Sequence, residues 1–237
     1  MKKYIKIFFL TAIAIIPAIN AKKNFILIAA PGSGKGSFSQ YMSKEHNYIQ
    51  ICPGDIFRHE IKEQTELGKK IQSTVERGDY IDENLVCEIM ANYIEKALAE
   101  NKNFILDGFP RSDYSFAFLD NFLKNQNLKK TIQYVQLIAD DATCINRIIY
   151  RQFCSQCFMV YHKIYAQPKN IDVCDSCTIP LSIRKADTEI EVRKRLSYFH
   201  SKIEPLVKKA QESYDCINIE TKSSFEELKK IYKNLTQ

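Results

Sequence analysis

Several features that would assign the chain to other protein classes are missing from its 237 residues. We find no internal repeat at solenoid or propeller spacing, and no run rich in proline, glycine or serine that is long enough to be a linker. No apolar run reaches the roughly 20 residues that a membrane-spanning helix requires. With 45% hydrophobic and 26% charged positions, the chain is expected to form one principal core with small appended modules.

The chain also lacks a stripe of one charge sign. Its 34 basic and 28 acidic side chains give a net charge of +6, but they are interspersed along the whole length. This distribution favours a solvated mixed surface over a face that binds nucleic acid, so no nucleic-acid partner is expected.

The first 21 residues differ in composition from the rest. Lys2, Lys3 and Lys6 precede an apolar run of about ten residues, 7–16, and the segment ends in the small residue Ala21. This pattern predicts a secretory signal peptide, and therefore an exported protein, periplasmic or secreted, without a stable membrane anchor. Two alternatives stay open: a buried first strand extended by chance, and a cytoplasmic protein.

Glycine is scarce, and the seven glycines all fall in loops or in the motif-bearing stretches described here. Three of them belong to the loop 31–37, Pro-Gly-Ser-Gly-Lys-Gly-Ser, between the apolar run 25–30 and a stretch of helical character from Phe38 to Lys44. Glycines let successive backbone N–H groups turn towards phosphate oxygens. Lys35 can reach the oxygens of the β- and γ-phosphates of a nucleoside triphosphate. An isolated glycine-rich loop is often an ordinary turn, but between a buried strand and a helix it predicts a phosphate site.

Short apolar runs recur along the chain and are separated by segments of helical character. The runs lie at 104–106 and 132–138, and the helical segments at 85–98 and 114–123. Alternating strands and helices predict a parallel α/β sheet that is covered on both faces. We expect the pattern to end with a late helix over about 189–214, a short strand at 216–219 and a terminal helix at 225–232.

The second apolar run ends in a carboxylate, in the order Asp107-Gly108-Phe109-Pro110-Arg111. In a parallel sheet Asp107 would lie at the carboxyl edge beside the first loop, where an acid can hold the water shell of Mg²⁺. Arg111 would face the same crevice with a fork of donors that suits a phosphate. The plainer alternative is a strand-end aspartate paired with a surface arginine.

Four cysteines have the spacing of a metal site: Cys154, Cys157, Cys174 and Cys177. Two Cys-x-x-Cys pairs that enclose sixteen residues can fold back and supply four thiolates to one tetrahedral zinc. A zinc ribbon that binds nucleic acid is the rival interpretation, yet it leaves the phosphate loop unexplained. Lid disulfides are a second rival, because the leader implies an oxidising compartment.

Taken together, these motifs resemble those of adenylate kinases. The resemblance rests on five segments in the family's order and spacing, which are residues 31–37, 54–58 (GDIFR), 66–69 (ELGK), 107–111 (DGFPR) and 192–196 (VRKRL). It implies an α/β P-loop nucleoside monophosphate kinase whose parallel sheet is flanked by helices. The implied parts are a core (22–51, 82–149 and 188–237), a small monophosphate-binding segment (52–81) and a zinc-bearing lid (150–187), preceded by the leader 1–21.

The resemblance implies the reversible reaction ATP + AMP = 2 ADP with Mg²⁺, a structural Zn²⁺ and a monomer. It assigns catalytic roles to Lys35, Asp107, Arg111, Arg151, Arg184 and Arg195. It assigns ATP binding to Gly32, Ser33, Gly34, Lys35, Gly36, Ser37, Arg147, Arg151, Val160, Tyr161, Tyr165 and Lys222. It assigns AMP binding to Pro53, Arg58, Asp79, Tyr80, Ile81, Gly108, Phe109, Pro110, Arg111, Ser115, Arg184 and Arg195.

Four positions depart from the family pattern. Ala29 replaces the opening glycine of the phosphate loop, and Ala186 replaces one of two adjacent lid aspartates, although Asp187 is retained. Pro53 replaces a threonine beside the monophosphate, and Ser115 replaces a glutamine expected to read the adenine edge. These changes keep two alternatives open: a monophosphate kinase with relaxed or altered acceptor base, such as CMP or UMP, and a catalytically weak nucleotide-binding relative.

Overall fold

The structure, a computed structural model, describes residues 23–76, 81–157, 159–221 and 225–235, without the side chains of residues 75, 76 and 225–227. The predicted leader 1–21 and three predicted site residues, Asp79, Tyr80 and Lys222, lie outside the described residues. No helix within the described ranges is long and apolar enough to cross a membrane.

A five-stranded parallel sheet forms the centre of the molecule, as the alternating apolar runs predict. The seven strands of the described chain are β1 Asn24–Ala29, β2 Ile49–Ile51, β3 Phe104–Asp107, β4 Ile132–Ile138, β5 Arg151–Phe153, β6 Val160–His162 and β7 Asp215–Glu220. The order in the central sheet is β2-β3-β1-β4-β7, and every pairing in it is parallel. Strands β5 and β6 form a separate antiparallel pair.

Nine α-helices of the described chain surround the sheet or extend from it. They are α1 Lys35–His46, α2 Pro53–Lys62, α3 Glu66–Glu76, α4 Glu83–Ala99, α5 Asp113–Asn125, α6 Asp141–Ile149, α7 Glu189–Tyr198, α8 Leu206–Ser213 and α9 Phe225–Asn234. Side-chain caps begin several of these helices, because free N–H groups of the first turn need acceptors. Asp82 caps α4, Ser112 caps α5, Asp140 caps α6 and Thr188 caps α7.

The sheet has a hydrophobic core on each face, and β1 explains why. Its side chains alternate between faces, so Ile26 and Ile28 join one cluster while Phe25 and Leu27 join the other. All four are at most 2% exposed. A strand that is buried on both faces reads as a continuous apolar run, which is the pattern from which the parallel sheet was predicted.

The predicted late helix over 189–214 is wrong in one respect. The structure divides it into α7, a π-helical turn Phe199–Ile203 and α8. Pro205 lies at the break, and a proline has no N–H with which to continue the helical hydrogen-bond ladder. Strand β2 was not predicted, because three residues are too few to show a period.

Candidate active site

The phosphate loop leaves β1 and enters α1 through two left-handed glycines. Gly32 has a φ of +85° and Gly34 a φ of +106°, a region that residues with a Cβ rarely adopt. A Cβ on Gly32 would lie 2.4 Å from the carbonyl oxygen of Cys144 on α6, so no side chain fits there. The fully buried Ser33 hydroxyl donates to the Ala30 carbonyl at 2.7 Å and ties the turn together. Gly36 and Ser37 follow in the first turn of α1, whose N-cap Gly34 supplies no side chain for its N–H groups.

Lys35 is directed back into this loop. Its ammonium donates to the carbonyl oxygens of Ala29 and Ala30, each at 2.9 Å. Burial lowers the pKa of Lys35, and the carboxylate of Asp107 opposes that shift. The loop therefore holds a buried cation beside the N-terminus of α1, where phosphate oxygens are stabilised.

Asp107 lies at the carboxyl end of β3, directly beside β1. Leu27 of β1 is its register partner, and Gln50 of β2 donates to its carboxylate at 3.1 Å. Burial raises the pKa of Asp107, whereas Lys35 acts to lower it. An acid and an ammonium thus face one another at the sheet edge where open α/β folds bind ligands.

Two unusual backbone features define the conformation of the turn after β3. Gly108 has a φ of +77°, and the peptide bond between Phe109 and Pro110 is cis. Phe109 and Pro110 are buried, which anchors the turn under the sheet edge. Arg111 folds back over the turn, where its Nε donates to the Gly108 carbonyl at 2.7 Å. A Cβ on Gly108 would lie 2.8 Å from the guanidinium of Arg111.

Five arginines from different segments of the chain converge on this crevice. Burial and the charges of Arg151 and Arg58 together lower the pKa of Arg184 to about 10. Burial likewise lowers the pKa of Arg195, with Arg151 and Arg111 acting in the same sense. The Nε atoms of Arg58 and Arg184 are buried and have no hydrogen-bond partner. Such a collection of cations provides donors for an anion with several oxygens.

One aspartate connects two of these arginines. Asp187, whose side chain is 1% exposed, accepts from Arg151 Nε at 2.9 Å and from Arg151 Nη2 at 2.6 Å. Arg195 Nη1 lies 3.7 Å from the same carboxylate. Arg151 opens β5 and Arg195 lies on α7, so this acid joins the segment 150–187 to the core. The retained aspartate was noted from the sequence, but its partners were not.

Arg147 and Tyr165, the residues predicted to flank the adenine, each contact other residues of the protein. Arg147 of α6 donates to the carbonyl and the hydroxyl of Thr221, at the end of β7. Tyr165 is 76% exposed and stacks on His162, with ring centroids 4.7 Å apart. Burial lowers the pKa of His162, and the charge of Arg147 contributes to that shift. His162 therefore stacks on one predicted residue and is influenced by the charge of the other. No sequence signal pointed to it, because a lone histidine carries no motif.

Two more predicted nucleotide contacts lie on β6. Val160 is partly buried and pairs with Phe153. Tyr161 is 5% exposed and packs in the cluster with Cys154 and Cys174, where its hydroxyl accepts from the Asp175 N–H at 2.9 Å. Tyr161 could therefore meet a nucleotide only through its backbone.

The predicted acceptor residues begin the helices beside the crevice. Pro53 is buried at the first position of α2, and Arg58 of the same helix pairs with Asp55. Ile81 directly precedes Asp82, the N-cap of α4. Ser115 is 1% exposed, and its hydroxyl lies on backbone groups at the start of α5. The Ser115 side chain is thus a structural element of the turn that carries Arg111.

The four lid cysteines come together as the spacing predicts. Their sulfurs all lie within 4.8 Å of one another, and Cys157 and Cys174 are 3.7 Å apart. Four thiolates around zinc, at about 2.3 Å each, are about 3.8 Å apart, so the cluster fits a tetrahedral zinc. N–H groups of Gln156 and Cys157 point at Cys154, and that of Cys177 points at Cys174. All four are free thiols.

Comparison with known proteins decides the family. The family model described as adenylate kinase matches residues 27–214. The chain belongs to the adenylate kinase family. It is 38% identical over 182 residues to an adenylate kinase of Acetivibrio thermocellus, which covers 77% of this chain and 83% of the relative. It is 36% identical over 184 residues to that of Archaeoglobus fulgidus (78% and 84%), and 37% identical over 183 residues to that of Borrelia turicatae (77% and 83%).

Membership of this family confirms the predicted P-loop kinase fold and the predicted enzyme class. The chain is a phosphotransferase of the adenylate kinase type. The similarity to many adenylate kinases favours the adenylate kinase reaction over an altered acceptor base. The roles of individual residues are a separate question, which the geometry above addresses.

Proposed function

We propose that this crevice transfers the terminal phosphoryl group of MgATP to AMP by holding both nucleotides between the phosphate loop and the converging arginines. The observation that carries the proposal is the convergence of Lys35 with five arginines around a single crevice. Phosphoryl transfer needs alignment and neutralisation of charge more than covalent help from the protein. The arrangement supplies both.

On the donor side, the loop 31–37 would cradle the ATP phosphates. Its left-handed glycines and the N-terminus of α1 support this role, since they direct backbone N–H groups at a common point. Lys35 already lies there with its charge buried. Arg147 and Tyr165 would flank the adenine, with His162 supporting Tyr165 from behind.

Asp107 would hold the water shell of Mg²⁺ and so orient the ATP phosphates. Its position at the carboxyl edge of β3, beside Lys35, supports this assignment. When bound, Mg²⁺ neutralises charge on the phosphate oxygens. Gln50 fixes the carboxylate by donating to one of its oxygens.

On the acceptor side, Arg58 and Arg111 would grip the phosphate of AMP. The Nε of Arg58 is buried and has no hydrogen-bond partner. Arg111 follows Gly108 in a tight turn, and its Nε donates to the Gly108 carbonyl. Arg151, Arg184 and Arg195 would surround the transferred group. A planar guanidinium suits this task because it binds two phosphate oxygens at once and keeps its charge.

The segment 150–187 would act as a lid held by zinc, and the segment 52–81 as the monophosphate-binding part. The bidentate bond from Arg151 to Asp187 supports a lid whose base is joined to the core. The sulfur distances support Cys154, Cys157, Cys174 and Cys177 as the zinc ligands. Lid closure would exclude water, which otherwise competes as acceptor.

A coupled assay of ADP formation from MgATP with AMP, CMP, UMP and GMP tests this function. AMP is expected to be the best acceptor by kcat/KM. Binding of ATP and AMP without ADP formation would instead identify a nucleotide-binding relative without turnover. Export is tested separately by the N-terminal sequence of the protein recovered from cells, where cleavage after Ala21 is expected.

A further inference from the structure

We propose that a chain of hydrogen bonds from Glu83 through Ser112 and Ser115 positions Arg111, so that Ser115 is a positioning residue for the acceptor phosphate; this rests on the proposed role of Arg111. The chain connects three parts of the fold. Glu83 lies in the first turn of α4, Ser112 and Ser115 begin α5, and Arg111 ends the turn after β3.

The Ser115 hydroxyl has no hydrogen-bonding capacity left for a nucleotide. Its Oγ accepts the N–H of Arg111 at 3.1 Å and the N–H of Ser112 at 3.0 Å, and lies 2.9 Å from Ser112 Oγ. A serine hydroxyl has two acceptor lone pairs and one donor hydrogen. Two N–H groups occupy the lone pairs, so the hydrogen must be donated. Ser112 Oγ, at 2.9 Å, is a nearer acceptor than the Ser112 carbonyl oxygen at 3.3 Å.

The direction of the next bond follows from the same count. Ser112 Oγ accepts the N–H of Ser115 at 3.0 Å and the Ser115 hydroxyl, which fills its two lone pairs. Its own hydrogen is directed to the carboxylate of Glu83, which can only accept. The chain thus runs one way, from the Arg111 amide to a carboxylate, and the charge at its end strengthens each bond.

The hydrogen bond between the Arg111 N–H and the Ser115 hydroxyl is not needed to cap α5. Ser112 and Ser115 already satisfy one another's backbone N–H groups in a capping box, and Arg111 precedes that box. The additional bond fixes the Arg111 backbone, while its Nε is fixed by the Gly108 carbonyl at 2.7 Å. Arg111 is exposed, but hydrogen bonds hold both its backbone N–H and its Nε. It therefore loses less conformational entropy when it binds a phosphate.

The test compares Ser115→Ala with Tyr114→Phe in the full-length protein. Tyr114 is 50% exposed and connects the same two helices, because its hydroxyl donates to Asn84 rather than accepting from the Arg111 amide. AMP affinity by calorimetry is expected to fall about 10-fold in Ser115→Ala, because the Arg111 amide loses its acceptor. Tyr114→Phe should bind AMP as the wild type does, and both variants should bind a non-hydrolysable ATP analogue normally.

Glu83 supplies a second, independent variant. Glu83→Gln keeps an acceptor for the Ser112 hydroxyl and should retain most AMP affinity, whereas Glu83→Ala removes it and should resemble Ser115→Ala. Equal AMP affinity of Glu83→Ala and the wild type would overturn the chain's connection to α4. Circular dichroism and thermal unfolding verify that each variant is folded.

Arg111→Ala separates failure of this inference from failure of the proposed function. If Arg111→Ala binds AMP normally, the assigned role of Arg111 is wrong. If it binds weakly while Ser115→Ala binds normally, only the positioning chain is wrong. In the double variant the effect of Ser115→Ala should vanish, because Ser115 acts through Arg111. An additive effect, or an equal loss of ATP-analogue affinity, would contradict the inference and indicate general damage.

Discussion

The phosphate crevice and the cysteine cluster of the lid are held together in opposite ways. The crevice lies at the edge of a sheet with a hydrophobic core on each face. The lid has a small apolar cluster in which, among the residues that the structure describes, Cys154, Tyr161 and Cys174 are buried. A large core can hold repelling cations in place, whereas a cluster this small supplies little burial energy. We therefore expect the lid to depend on a bound metal for its order more than the crevice does.

Asp187, which bonds to Arg151 and lies close to Arg195, should show the largest effect on stability when it is replaced. Asp187→Ala leaves Arg151 without its bidentate partner in a buried setting, and breaking a buried pair costs about 3–5 kcal/mol. We expect the free energy of unfolding to fall by that order in denaturant titrations. Glu189→Ala breaks the exposed pair with Arg193 and should cost at most about 0.5 kcal/mol. Similar losses in both variants would mean that the junction is not specially stabilised.

Within the crevice, function and stability should separate. Lys35→Ala is expected to lower turnover by a factor on the order of 10² or more, because it removes a preorganised charge, while the fold stays intact. The matched control is Lys44→Ala, on the exposed last turn of the same helix. Steady-state ADP formation is the measurement. Near-normal turnover of Lys35→Ala would refute the assignment of the crevice.

Within the lid, function and stability should fall together. The purified protein is expected to contain about one zinc per chain, with four lid thiols that react only after chelation. A metal bound at 100 times its Kd stabilises by about 2.7 kcal/mol, so stripping it should lower the Tm by about 5–10 °C and reduce turnover. Elemental analysis, thiol titration and calorimetry measure these quantities. Two lid disulfides without metal, in protein from its native compartment, would contradict the zinc assignment.

The exposed residue His200 should have the smallest effect on stability. Glu204 and Asp141 raise the pKa of His200, because each accepts a hydrogen bond from its ring. The raised pKa means that this contribution is fully present below about pH 6.5 and is lost as pH rises through the folded pKa. The group is exposed, so the contribution should be under about 1 kcal/mol. His200→Gln should remove this part of the pH dependence of stability; a change of several kcal/mol would contradict it.

Features that depend on nearby residues were predictable from the sequence. The phosphate loop, the strand ending in Asp107 and the paired cysteines each lie within a few residues of chain, so their spacing determines their geometry. The parallel sheet was also predictable, because a strand that is buried on both faces must be continuously apolar.

Features that depend on contacts between distant segments were not predictable. The partners of Asp187 lie 36 residues before it on β5 and beyond it on α7. The bond from Ser112 to Glu83 spans 29 residues, and no local pattern announces it. The break at 199–205 is an intermediate case: Pro205 was visible, but the π-helical turn that precedes it is set by packing.

The bonds from Lys35 to Ala29 and Ala30 have a consequence for selectivity among anions. Two of the three hydrogens of the ammonium go to carbonyl oxygens at 2.9 Å, so an anion finds one hydrogen and must displace a carbonyl to gain a second. A weakly charged anion such as chloride gains too little from one contact to compete with two. A polyphosphate that contacts the loop, the helix N-terminus and the arginines together does compete. We therefore expect the loop to favour an anion with several phosphate oxygens over a single halide ion.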